Sequence, residues 1–138
     1  MRDQANNLTL RPVIAPAANS NLGTTPLVGT VIDRQGYDSL SYGIVTGTLS
    51  DADATYTVLL EESDNDSSNF TAVADADLIG TEAAAGFNFG DDSETRKLGY
   101  IGNKRYTRLT ITPAAADSGN SPIAAIAILG RPLQAPVA

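Results

Sequence analysis

The sequence predicts an all-β fold, an antiparallel β-sandwich or small jelly-roll-like barrel, and three observations carry that expectation. Apolar and polar residues alternate in short runs, most cleanly where Tyr56, Val58 and Leu60 share one face and Thr55 and Thr57 the other. About seven such runs are separated by turn residues, the spacing of a sandwich or small barrel. Ala, Thr, Gly and Ser are abundant and Trp is absent, a light composition suited to short strands. A chain of 138 residues can bury a core without staples.

Residues 1–26 read as an extended N-terminal arm. Pro12, Pro16 and Pro26 oppose both helix and central strand, while Leu8, Leu10, Val13 and Ile14 offer apolar contacts to a neighbouring subunit. A frayed terminus is the other reading. A β domain is expected over 27–130. LVGTVID reads as its first strand and the run from Ser39 as its second, with Leu40, Tyr42 and Ile44 at period two. ATYTVLLEES and NFTAVAD follow; the Gly-bearing stretch from Leu78 to Glu94 reads as a long loop or one helical turn. Gly102-Asn103 predicts a two-residue hairpin joining the β-rich runs on either side. SPIAAIAILG is apolar on both faces, so it should be central or sealed by a partner. Residues 131–138 form a Pro-punctuated C-terminal tail.

Several functions are disfavoured by composition. With no Cys there are no disulfides or thiolate zinc sites, and with no His the commonest metal ligand and neutral-pH base is missing. Nucleophilic catalysis therefore lacks its usual parts, and no phosphate-binding glycine pattern precedes a helix. No enzyme, cofactor or metal is expected. The twelve residues from Asp64 to Asp75 imitate a calcium loop, but Asn69 stands where Gly is needed and Asp75 where the bidentate Glu belongs. A net charge of −7 argues against nucleic acid as partner, and no apolar stretch is long enough to span a membrane. The first residues lack an apolar secretory segment, so folding in a cytosol is expected.

Charge is polarised along the chain. From Asp51 to Glu94 there are twelve acidic residues and no basic one; from Thr95 to Thr112 there are five basic and no acidic. Acidic loops lying beside a basic hairpin within one molecule would explain this. The alternative is a docking surface. In the expected hairpin Lys97 faces Arg108, Leu98 faces Thr107, and Leu98, Tyr100, Thr107 and Leu109 turn inward. Lys97, Lys104, Tyr106 and Arg108 then share an outward face whose like charges call for an anion nearby.

The motifs Asp33-Arg34-Gln35-Gly36-Tyr37, TYTVLLEESDNDSSNFTAV, GYIGNKRYTRLTIT and ILGRPLQAPV resemble small structural proteins of tailed bacteriophages. The resemblance covers most of the chain beyond residue 26 and implies a capsid decoration or cement protein on the virion. It implies a β-rich, often trimeric subunit bound to the outer capsid surface, with the major capsid protein and copies of itself as partners. Two other readings stay open: a virion-displayed receptor- or glycan-binding module, and a head–tail connector or tail subunit.

Overall fold

A computed structural model describes residues 2–137. Eleven strands appear in chain order among them: β1 (Leu8–Ile14), β2 (Leu27–Val28), β3 (Ile32–Asp33), β4 (Tyr37–Thr46), β5 (Thr55–Ser63), β6 (Thr71–Ala72), β7 (Leu78–Ile79), β8 (Phe87–Asn88), β9 (Thr95–Tyr100), β10 (Tyr106–Ala114) and β11 (Ile123–Pro132). One helical turn, α1 (Glu82–Ala85), lies between β7 and β8. The strands form two antiparallel sheets packed as a sandwich. The first runs β1-β11-β4-β9-β7. The second centres on β10 and β5; β2 and β3 pair with the outer side of β10, and β6 and β8 with that of β5.

The period-two pattern builds the core. Leu40, Tyr42 and Ile44 from β4, Leu98 and Tyr100 from β9, and Ala125, Ala127 and Leu129 from β11 are buried against Tyr56, Val58, Leu60, Leu109 and Ile111 of the second sheet. Dispersion and apolar burial across this layer hold the sheets together. Two buried hydroxyl pairs cross it. Tyr42 bonds Thr107 at 2.6 Å, and Tyr56 bonds Ser121 at 2.5 Å, so neither phenol is left unsatisfied.

The extended arm expected over residues 1–26 is corrected by the structure. Leu8–Ile14 is the edge strand of the first sheet, paired with β11 from Leu8↔Gly130 onward. Val13 and Ile14 sit in the core. Pro12 is compatible with this because an edge strand tolerates a missing N–H, and the register shifts between Pro12 and Ile14. The following loop is stitched to residues 116–121: Gly23 N–H donates to Ala116, Asn21 N–H to Gly119, and Ser121 N–H to Ala18. The expected strand at 27–33 is broken in two because Gly29 closes the sandwich edge. Its N–H donates to Leu109, Thr30 N–H donates to Val13, and a side chain at Gly29 would collide with both Leu109 and Val13. The tail boundary moves as well, since β11 continues through Pro132 and Val137 N–H donates to Asn6.

The hairpin at Gly102-Asn103 is also corrected. Residues 101–105 carry the chain from β9 in the first sheet to β10 in the second, and the two strands never pair. All four residues expected to turn inward do so, but from opposite sheets. The reason is Tyr100. Its ring tucks beneath the connection, where a side chain at Gly102 would strike it, and its hydroxyl accepts the Lys104 N–H while donating to Glu62. The crossing fills the end of the core, as a flat hairpin would not. On the other flank Thr81 caps α1 through the Ala84 N–H, and Glu82 accepts the Leu60 N–H of β5 at 2.7 Å.

Candidate interaction surfaces

The eight residues singled out from the sequence do not form one surface. Val13 and Ile14 are core, and Leu8 is half-buried at the start of β1. Leu10 and Lys97 project from the outer face of the first sheet. Tyr106 and Arg108 project from the outer face of the second, and Lys104 sits at one end of the sandwich. Lys97 therefore does not face Arg108; its partner in the ladder is Gly43, while Arg108 lies opposite Glu61.

The second sheet satisfies its own charges. Arg108 donates to the Glu61 carboxylate through Nε at 3.0 Å and Nη2 at 2.7 Å, with its guanidinium 4.3 Å from the Phe70 ring centre. Arg105 grips Asp33 with two bonds, at 2.9 and 2.8 Å, while lying over Tyr106. The Arg105 guanidinium holds the Asp33 carboxyl below the usual carboxylate range. Lys104 pairs with Asp64, which raises the amine. The intramolecular explanation of the polarised sequence thus accounts for Lys104 and Arg108, while Arg105 is paired with Asp33, outside the acidic stretch. It also occupies Asp64, the first residue of the calcium-like stretch. Among the described residues no group of three or more potential ligands is placed to hold a metal.

The loops between the strands collect carboxylates at the opposite end. Asp51, Asp53, Asp91, Asp92, Glu94 and Asp117 lie there, and Arg96 pairs with Asp91 and Glu94. A groove of about 490 Å³ opens beside β5 and α1, with Glu82 and Asp91 in its wall. Both carboxylates are bonded to backbone, Glu82 to Leu60 and Asp91 to the Asn88 N–H at 2.8 Å, so the groove presents no free acid–base pair.

The outer face of the first sheet differs in kind. Ladder pairing fixes its side chains in rows: Leu10, Ile128, Ser41, Gly99 and Ile79; then Pro12, Ile126, Gly43 and Lys97; then Ala124, Val45 and Thr95. Leu10 is 61% exposed, Ile79 61%, Val45 47% and Ile126 41%. Small residues between them keep the face flat. Lys97 is its one charge, and among the described residues no carboxylate lies within ion-pair distance of it. The doubly apolar β11 was the sequence signal for this face. It is central, as expected, yet its outer side is uncovered. Val45 and Ile79 were missed because outward alternation in β4 and β7 reads as ordinary surface.

No family model matches the chain, and no curated protein sequence matches it. Many solved structures resemble it, among them the following three. PBSX exported protein XepA gives a TM-score of 0.57 at 17% identity, covering 91% of this chain and 38% of that one. Xylanase10C from Cellvibrio japonicus, in complex with xylopentaose, gives 0.50 at 13% identity, covering 93% and 28%. A xylan-binding module gives 0.48 at 12% identity, covering 94% of each chain. The chain spans well under half the length of the first two structures. At these identities the likeness to the first two speaks to the fold alone.

Proposed function

We propose that this chain is a non-enzymatic structural protein of a tailed-phage virion, a decoration or cement subunit that binds the outer surface of the head. The observation that carries this reading is the outer face of the first sheet, apolar, flat and uncovered in the single chain. Contiguous exposed apolar patches of a few hundred Å² mark interaction sites on soluble proteins. The phage-protein resemblance of the sequence implies the partner, the major capsid protein, with copies of this chain as neighbours on the same shell. The absence of His and Cys and the backbone-bonded carboxylates of the groove support a role without chemistry.

Quantitative mass spectrometry of purified particles tests the reading. A head-decoration subunit is expected at a copy number that scales with the shell. A handful of copies per particle would assign the chain to a connector, and none would remove it from the virion.

A further inference from the structure

Lys97 says what kind of surface covers the first sheet. Five strands about 4.8 Å apart, with side-chain rows about 6.8 Å apart, give this face a footprint of roughly 24 by 20 Å. That is roughly 480 Å², over half of the about 800 Å² that one side of a standard protein interface buries. Charge depletion is the mark of an interface centre, and here it is nearly complete. A flat partner packed on Leu10, Ile126 and Val45 would strip water from the Lys97 stem and press close to its amine. An ammonium removed from water without a counter-ion is costly. Among the described residues none is placed there: of the carboxylates nearest in sequence, Asp91 and Glu94 are engaged by Arg96, and Asp92 accepts the Leu49 N–H.

The same argument decides against a second copy presenting the same face. Such a copy would bring another Lys97 and no acid, because none of the face's rows contains a carboxylate. We infer that the outer face of the first sheet docks a different protein surface, flat and apolar, that places a carboxylate opposite Lys97. The inference rests on the virion reading, which makes that surface part of the head shell.

The test uses expanded head shells prepared without this subunit, with binding measured for the full chain and its variants. Lys97→Glu should weaken binding roughly 100-fold by opposing two carboxylates, while Lys97→Arg stays within about threefold. Ile126→Asp should weaken it at least ~100-fold, and Leu10→Asp, at a more exposed edge position, repeats the test should Ile126→Asp fail to fold. Leu59→Asp, on the opposite sheet, should bind as the parent does. Parent protein that ignores the shells overturns the virion reading and this occupant with it. Parent that binds while Lys97→Glu binds equally well overturns the inference and leaves the virion reading standing. Sedimentation showing a parent dimer that Ile126→Asp dissolves would give the face to a second copy, which also overturns it.

Discussion

The Tyr42 hydroxyl and Thr107 Oγ1 lie 2.6 Å apart, a fully buried hydrogen bond that ties the two sheets together. Burial pushes the Tyr42 phenol well above its ordinary value near 10. The folded chain therefore holds that proton more tightly than the unfolded chain does. Its contribution is complete below about pH 10 and is lost above it, at about 1.4 kcal/mol per pH unit for one phenol. Tyr42→Phe should cost about 1–2 kcal/mol at pH 7 by orphaning Thr107. It should also lessen the alkaline loss, leaving the share from Tyr100, which burial and Glu62 raise likewise. Urea denaturation at neutral pH and above pH 10 checks both; an unchanged alkaline slope in the variant would contradict the assignment.

The N-terminal segment is structural. Deleting residues 1–14 removes Val13 and Ile14 from the core and bares the β11 edge. The expected result is loss of the cooperative melt or a drop in Tm of more than about 10 °C. A truncated chain that melts within a degree or two of the parent would show that β1 is dispensable.

Arg108 and Glu61 face one another in the second sheet, both partly buried. Arg108→Glu puts like charges directly opposite and should cost about 1 kcal/mol, with most of it recovered in Arg108→Glu/Glu61→Arg. Equal stability of the single variant and the parent by chemical denaturation would remove the pair from the fold's support.

Acid should act through Asp33. Arg105 lowers its folded pKa beneath the ordinary 3.8, so its contribution is present above that value and lost as pH falls through the lowered one. Both partners are substantially exposed, and solvent screening keeps the effect small. Asp33→Asn should flatten the stability curve below about pH 4. A variant with the parent's acid slope would place the proton uptake elsewhere.

The strands with strict alternation were legible. β5 and β11 lie close to their expected positions, and Leu98, Tyr100, Thr107 and Leu109 all point inward. What failed was pairing. A Gly-Asn pair between β-rich runs signals a hairpin locally, but the packing of Tyr100 under residues 101–105 is a tertiary event that no local pattern carries. Pro12 misled in the same way, since it forbids a central strand and permits an edge one. The charged residues were visible, yet their partners were not. Only the folded register shows that Arg108 meets Glu61 while Lys97 meets no acid among the described residues.

The chain has two lysines, Lys97 on the face proposed to dock and Lys104 at the end of the sandwich beside Asp64. Amine-reactive labelling of the free subunit and of intact particles, read residue by residue by mass spectrometry, therefore tests the docking claim with a control in the same molecule. Labelling of Lys97 should fall to near background in the particle while Lys104 stays reactive. Lys97 remaining as reactive in the particle as in the free chain, above all with Lys104 protected instead, would contradict docking through the first sheet.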